Sequence, residues 1–263
     1  MIAVEIAGVI CGVECADGAF TDFLVERWAD FATRAPVDVR LVIDVVAGLP
    51  DAEVLAWSGP FARFHQRHSE LLIEGPGFEG AYDARTGRGR LTQPADPAPI
   101  ETLLTAIIAG RLLQDGGCLL HAAALACADG ARVFFGPSGS GKTTVAGLVG
   151  DGVITDEITA LRRTHDGWRV SGVPWRGARL EGDLAGLFRL RQGSTTVFSH
   201  LGPGEAVREL LGCAFLPRAD GAEIARFLEV AAALVAAVGC GEMTFALDGA
   251  FRDALPRALE VAR

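Results

Sequence analysis

The chain has 263 residues, half of them hydrophobic, so it is long enough for one large domain or two small ones with a sizeable core. Its formal net charge is −9 and no run of Lys or Arg exceeds two neighbours, which argues against nucleic acid or an anionic membrane surface as the main partner. The first residues lack the basic segment of a signal peptide, and the longest apolar run (230–241) is shorter than the about 20 residues that span a bilayer. We therefore expect a soluble, cytoplasmic protein in which residues 230–241 belong to a buried helix.

Residues 1–95 predict a small α+β domain. Its hydrophobic periodicity and turn residues predict, in chain order, a strand over 2–10, an amphipathic helix over 20–33, a strand over 38–46 and a hairpin over 81–93 that turns at Thr86-Gly87. Nothing in this part carries obvious chemistry. We interpret it as a packing or substrate-presenting domain.

The six cysteines fit a reducing compartment. Cys11 and Cys15 are four positions apart, but no second pair or histidine cluster completes a zinc site, so we expect small buried hydrophobic side chains. His65 and His68 could share a helical face. Without a third ligand they are better interpreted as surface residues.

Residues 96–263 predict a second domain, separated from the first by a proline-rich break at 92–101. A helix is predicted from Pro99 to Gln114, because Asp115-Gly116-Gly117 follows it as a stop signal. The later predicted elements are strands over 118–126 and 131–135 around an exposed Asp129-Gly130 turn, a helix over 143–149, a strand over 153–159 and a hairpin over 160–175 that turns at Asp166-Gly167.

A phosphate-binding motif lies between the strand at 131–135 and the helix that follows it. Residues 136–143 fit the P-loop pattern G-x-x-x-x-G-K-[ST], and Lys142 is the only lysine of the chain. A compact ammonium can slide between phosphate oxygens where an arginine fork cannot, so this lysine indicates a nucleoside triphosphate rather than a bare tight turn. The predicted nucleotide-binding residues are Gly136, Ser138, Gly139, Ser140, Gly141, Lys142, Thr143 and Thr144, with ATP and Mg²⁺ as ligands.

An acidic pair and a histidine flank this motif in the sequence. Asp156 and Glu157 end the strand after the P-loop helix, which would bring a carboxylate close to Lys142 and to Mg²⁺ bound at Thr143. The alternative is a solvated strand end. His121 lies one hairpin before the P-loop, and its alternative is a satisfied core histidine.

The order of hairpin with His121, P-loop, short helix and acidic pair resembles the catalytic domain of the HPr kinase/phosphorylase family over about residues 100 to 180. Residues 171–177 (SGVPWRG) are also similar to a stretch of its HPr-kinase-related branch. The resemblance implies an α/β fold with a P-loop core and a mixed sheet, shared with phosphoenolpyruvate carboxykinase. It also implies that His121, Lys142 and Asp156 are catalytic, and that Glu157, with Thr143 and Asp156, holds the metal.

Two departures separate this chain from true HPr kinases. Its acidic pair is Asp-Glu rather than Asp-Asp, and the family signature that reads like LEIRG is missing. The chain is therefore more similar to related kinases found beside peptide natural-product pathways, which phosphorylate serine on a precursor peptide.

These observations predict an ATP-dependent kinase that transfers the γ-phosphoryl group to a hydroxyl, with serine of a peptide or protein as the acceptor. A small-molecule kinase on the same core and a non-catalytic ATP-sensing module are the alternatives. Arg176 and Arg179 could act as an arginine finger or could be ordinary surface residues. The sequence leaves the oligomeric state and the direction of the reaction open.

Overall fold

The computed structural model describes residues 1–48 and 60–246, and in that part the protein is a mixed α/β structure with two mixed sheets and five α-helices. The chain divides into two compact units, Met1–Ile108 and a second that begins at Ala109. The sequence placed this boundary at 95/96, whereas the structure divides the chain inside a helix. The predicted second domain after residue 246 lies outside the described residues.

The first unit is built on a seven-stranded sheet with the strand order β1-β2-β3-β7-β6-β5-β4, in which β3 is parallel to both of its neighbours. Buried side chains on α1 (Phe20 and Leu24) and on the strands form its core. Its elements are β1 (Ile2–Ile6), β2 (Val9–Cys15), α1 (Gly18–Arg27), β3 (Val39–Val45), β4 (Arg63–Arg67), β5 (Glu70–Gly75), β6 (Phe78–Asp83), β7 (Arg88–Gln93) and the first part of α2 (Pro97–Gln114), the helix in which the division falls.

The second unit contains an eight-stranded sheet, and its strand pairing closes on itself: β8 pairs β11, β11 pairs β12, β12 pairs β13, and β9 joins β13 back to β8. Among the strand pairs of this unit described up to residue 246, only β9–β13 and β13–β15 are parallel. Its elements are β8 (Cys118–Cys127), β9 (Gly130–Phe135), α3 (Lys142–Val149), β10 (Val153–Thr155), β11 (Ile158–Thr164), β12 (Gly167–Ser171), β13 (Glu181–Gln192), β14 (Val197–His200), α4 (Pro203–Leu211), α5 (Gly221–Val238) and β15 (Cys240–Phe245).

Several sequence predictions are confirmed by these elements. The hairpin at Thr86-Gly87 joins β6 to β7, the hairpin at Asp129-Gly130 joins β8 to β9, and the hairpin at Asp166-Gly167 joins β11 to β12. Helix α2 ends where expected, because Gly116 has a positive φ of 77° and the Gly117 N–H donates to the carbonyl of Leu112. The segment 38–46 forms β3. The predicted buried helix over 230–241 is confirmed only in part, because α5 ends at Val238 and Cys240 and Gly241 belong to β15. Within the helix, Ala232, Ala236 and Ala237 are exposed.

Other predictions in the first unit are wrong. The segment 2–10 is not one strand, because Ala7 and Gly8 have positive φ and turn the chain between β1 and β2. The predicted helix over 20–33 begins earlier, since the Asp17 carboxylate accepts the Phe20 N–H as an N-cap, and its α-helical part ends at Arg27. His65 and His68 are exposed, as expected for surface residues, although His65 lies on strand β4 and not on a helix. Cys11 is buried as expected, whereas Cys15 is half-buried.

The turn between β8 and β9 does more than reverse the chain. Arg132, whose side chain is fully buried, donates to the Asp129 carboxylate at 2.6 Å and to the carbonyl of Gly130 at 2.6 Å. The guanidinium lowers the pKa of Asp129 through this hydrogen bond. The exposed turn is therefore the charge partner of a buried cation.

We expect Asp129→Ala to lower the free energy of unfolding by about 1–3 kcal/mol, because a buried charged donor then loses its partner. The carboxylate with its lowered pKa stabilises the fold above the ordinary pKa of an aspartate, and this contribution is lost as the pH falls through the lowered value. Denaturant titrations of both proteins at pH 7 and at acidic pH measure the difference, which should shrink on acidification. A difference that is zero at pH 7 would show that Arg132 needs no carboxylate.

Candidate functional site

The loop between β9 and α3 (residues 136–141, hereafter the glycine-rich loop) has a backbone that requires glycine at two tight positions. Gly141 has a φ of 104°, and a Cβ there would lie 2.4 Å from Cζ of Phe245. Gly136 has a φ of 154°, and a Cβ there would lie 2.9 Å from Oγ of Ser140. The loop thus reverses tightly and leads directly into the first turn of α3, the arrangement that points backbone N–H groups at an anion.

Lys142 is folded back onto this loop. Its side chain is buried, with 6% of the residue exposed, and Nζ donates to the carbonyls of Gly136 at 2.9 Å and Pro137 at 3.1 Å. Burial lowers the pKa of Lys142, while the thiol of Cys213 and the carboxylate of Glu157 act in the opposite direction. The ammonium is therefore held by weak neutral acceptors, which a phosphate could replace with a stronger charge-assisted bond.

The remaining predicted nucleotide-binding residues surround this lysine. Ser138 and Gly139 are exposed at the tip of the loop, and Thr143 and Thr144 are exposed on the first turn of α3. Ser140 is buried, and its Oγ has no hydrogen-bond partner. A cavity of about 500 Å³ adjoins the loop and is lined by residues 137–140, by the end of β13 (Arg189–Gln192) and by Glu209.

His121 lies in the middle of β8, directly opposite Ile158 on β11. The backbone N–H of His121 donates to the backbone carbonyl of Cys213 at 2.7 Å. Burial, and then the charge of Lys142, lower the pKa of His121, whereas Glu157 raises it. The lowered pKa favours the neutral imidazole, which can accept a hydrogen bond.

The acidic pair lies between two strands rather than at the end of one. The predicted strand over 153–159 is interrupted, because β10 ends at Thr155 and β11 begins at Ile158, and both pair with β8. The Glu157 carbonyl accepts the Ala122 N–H at 3.0 Å, which ties the pair to β8 close to His121.

The two carboxylates have different surroundings. Glu157 Oε2 lies 3.1 Å from Nε of Arg176, and the charge of Glu157 acts on both Lys142 and His121. Asp156 is half-buried and makes no hydrogen bond or ion pair with the residues that the structure describes. The structure therefore brings the charge of Glu157 close to Lys142 and His121. Among the described residues, the Asp156 carboxylate has no interaction with either of them. Which of the pair is the base and which binds metal stays a prediction.

Three neighbours of the site were not identified from the sequence. Cys213 donates from Sγ to the carbonyl of Gly136 at 3.6 Å, and burial raises the pKa of its thiol. The sequence also did not identify Thr155 as a neighbour of the site, or Arg176 as the ion-pair partner of Glu157. A cysteine 71 positions after Lys142 carries no local signal, and a threonine inside an apolar strand has no distinctive pattern.

The donor groups around the glycine-rich loop bear on metal binding. Within residues 1–48 and 60–246, no group of three or more His, Cys, Asp or Glu side chains could hold a metal ion by itself. Mg²⁺ is usually bound by one or two carboxylates together with substrate phosphates and water, so a protein cage is not required. An exposed hydroxyl at Thr143 and the half-buried carboxylates of Asp156 and Glu157 fit that donor set.

No protein-family model and no curated protein matches this chain. Among the helices that the structure describes, none is both long and apolar enough to cross a membrane.

Proposed function

We propose that this protein is an ATP-dependent kinase that transfers the γ-phosphoryl group to a hydroxyl, with serine of a peptide or protein as the acceptor. The observation that carries the proposal is a chain of contacts that links His121 and Glu157 to Lys142. The carbonyl of Cys213 accepts the backbone N–H of His121, and its thiol donates to the Gly136 carbonyl that also accepts Lys142 Nζ. The Glu157 carbonyl accepts the N–H of Ala122, the residue after His121. A lysine on a phosphate-binding loop explains nucleotide binding alone. A neutral histidine and a carboxylate at the same place also supply groups that accept a proton, which a sensor does not need.

The residues of the chain divide the reaction among them. Lys142 and the amides of the glycine-rich loop would neutralise the β- and γ-phosphates, and Mg²⁺, when bound at Thr143 and Glu157, would add further positive charge. Asp156 would take the proton of the acceptor hydroxyl as its oxygen bonds to the γ-phosphorus and the bond to the β–γ bridging oxygen breaks. ADP and the phosphorylated acceptor are the products.

His121 supports this proton transfer in the proposal. A hydrogen bond from the imidazole to the carboxylate pair would orient Asp156 and stabilise it as the proton arrives. The acceptor class rests on the resemblance to HPr-kinase-related kinases and not on the geometry. A small-molecule hydroxyl is the alternative acceptor that the same residues could serve.

The single lysine provides the test of the proposal. We expect Mg·ATP to suppress modification of Lys142 by an amine-specific reagent strongly, and AMP, which lacks the β- and γ-phosphates, to suppress it little. Peptide mass spectrometry measures the labelled fraction, and the N-terminal amine of the same molecules serves as an internal control. Equal labelling of Lys142 with and without Mg·ATP would contradict nucleotide binding at this loop.

Turnover separates a kinase from an ATP-binding sensor. Release of ADP, which water supports slowly in place of the acceptor, should be measurable in the wild type. Protection of Lys142 without any ADP release, even in the presence of serine-containing peptides, would favour the sensor.

A further inference from the structure

We propose that Thr155 and Arg176 are positioning residues that together hold the Glu157 carboxylate beside the glycine-rich loop, where it can bind the metal that accompanies the nucleotide. The inference rests on the proposed function. It adds Thr155, which the sequence did not identify, and it gives Arg176 a role other than the arginine finger considered from the sequence. Among the hydrogen bonds and ion pairs of the described residues, none joins Thr155 or Arg176 to the loop. Each acts through Glu157.

A single buried hydroxyl joins the two segments that carry the ion pair. Thr155 is 1% exposed, and its Oγ1 donates to the carbonyl of Arg176 at 2.5 Å. The same oxygen accepts the N–H groups of Glu157 at 3.3 Å and Ile158 at 3.2 Å. The hydroxyl therefore uses its donor and both acceptor positions, and it fixes the backbone on both sides of the ion pair.

The chain at 172–178 is seated directly on β10. The Ala178 N–H donates to the carbonyl of Ile154 at 3.0 Å, and Thr155 and Gly177 form an isolated antiparallel bridge. A Cβ at Gly172 or Gly177 would lie 2.8 or 2.6 Å from the oxygen of Ile154. The two glycines thus allow the backbone of 172–178 to lie closer to Ile154 than any side chain would permit. This close packing places Arg176 beside Glu157.

The packing of 172–178 against β10 reduces the entropy cost of forming the ion pair. The side chains of Arg176 and Glu157 are 55% and 40% exposed, and an isolated pair with such exposure contributes little, because ordering two long side chains costs entropy. Here both backbones are already fixed by the Thr155 hydroxyl, so less freedom remains to be lost. The pair is consequently suited to orient a carboxylate rather than to stabilise the fold.

The geometry leaves one oxygen of the carboxylate available. Arg176 contacts Oε2, whereas Oε1 makes no hydrogen bond to any residue that the structure describes. A carboxylate held through one oxygen can offer the other to a cation. Partners that orient a metal ligand in this way typically change metal affinity or activity by about 10–100-fold when they are removed.

The experiment compares Thr155→Val, which keeps the branched shape and removes the hydroxyl, with Thr155→Ser, which keeps the hydroxyl. Protection of Lys142 from labelling by ATP is measured as Mg²⁺ is titrated. We expect the half-saturating Mg²⁺ concentration to rise by about 10–100-fold in Thr155→Val and to stay within a few-fold of wild type in Thr155→Ser. Thr105→Val, which also removes a buried hydroxyl bonded to a carbonyl, is the matched control and should leave the titration unchanged.

Arg176→Ala should raise the same Mg²⁺ concentration by about 10-fold, and Arg176→Lys should raise it less, because an ammonium retains the charge but not the planar fork. Arg169→Ala, which breaks a comparably exposed ion pair with Glu181, is the control. If Arg176 merely competed with the metal for Glu157, Arg176→Ala would lower the Mg²⁺ requirement. That result would overturn its positioning role.

Two further measurements keep the proposal separate from the function on which it rests. In a Glu157→Gln background, Thr155→Val should cause no additional loss of Mg²⁺ affinity, because both changes act through one carboxylate. Amide hydrogen exchange, which needs no nucleotide, should be about five-fold faster at Glu157 and Ile158 in Thr155→Val, the effect of losing one hydrogen bond. Unchanged exchange overturns the proposal, whereas absence of Lys142 protection in the wild type overturns the proposed function.

Discussion

Lys142→Arg is expected to lower ATP turnover by about 10²–10³-fold, although it preserves the positive charge. The ammonium of Lys142 occupies a narrow, buried place against the carbonyls of Gly136 and Pro137. A guanidinium is wide and planar and cannot enter the same space without pushing the loop backbone apart. The loss should appear in both turnover and nucleotide affinity if, as proposed, the lysine contacts phosphates in the ground state and in the transition state.

The measurement is the steady-state rate of ADP release as a function of Mg·ATP concentration. Lys142→Ala, which removes the charge without adding bulk, should be at least as inactive as Lys142→Arg. Because it does not push the loop apart, its melting temperature should not be lowered by strain in the loop. Arg208→Lys, an exposed cation exchange on α4, is the matched control and should keep wild-type turnover. Substantial activity in Lys142→Arg would mean that the loop is wider than the structure indicates, and that any cation serves there.

Asp156→Asn is expected to reduce turnover by about 10²–10⁴-fold, the usual size of a general-base contribution, with ATP affinity within a few-fold of wild type. The amide keeps the shape of the side chain and removes its negative charge and its ability to accept a proton. Because Asp156 makes no ion pair with the described residues, this substitution breaks no structural contact there. A loss of turnover can therefore be attributed to chemistry rather than to unfolding.

Glu157→Gln is expected to behave differently from its neighbour. It should weaken the apparent affinity for Mg²⁺ and be partly rescued by excess metal, since a neutral amide is a poorer ligand for a hard cation. Even without metal, Glu157→Gln should lower the pKa of both Lys142 and His121, because the charge of Glu157 raises the pKa of each group. If excess Mg²⁺ rescues Asp156→Asn but not Glu157→Gln, the two roles are exchanged.

The parts of the fold that could be predicted are those determined by neighbours in the sequence. Gly-containing turns such as Asp129-Gly130 and Asp166-Gly167 identify hairpins because the required backbone angles are available to few residues. The same logic explains the end of α2. It failed at residues 2–10, because the turn at Ala7-Gly8 lies inside the apolar run 6–11 and no polar residue marks it.

Features that depend on distant segments could not be predicted in the same way. The parallel pairing of β9 with β13 joins residues more than 50 positions apart, and nothing in either strand identifies the other. The approach of Cys213 to the glycine-rich loop and the bond between Thr155 and the carbonyl of Arg176 arise only after the chain has packed. The motif residues were found because phosphate binding requires a fixed local spacing, whereas the residues that orient them follow no such rule.

The contact between Gly141 and Phe245 has a consequence for the order in which this protein becomes functional. Phe245 follows Gly141 by 104 positions, so a ribosome that adds about 5–20 residues per second completes the loop roughly 5–20 s before the aromatic ring beneath it. During that interval the nascent chain contains the whole motif without its support. We therefore expect the protein to acquire its affinity for nucleotide late in synthesis, when β15 has been made, and ATP to stabilise the finished fold rather than to guide its formation.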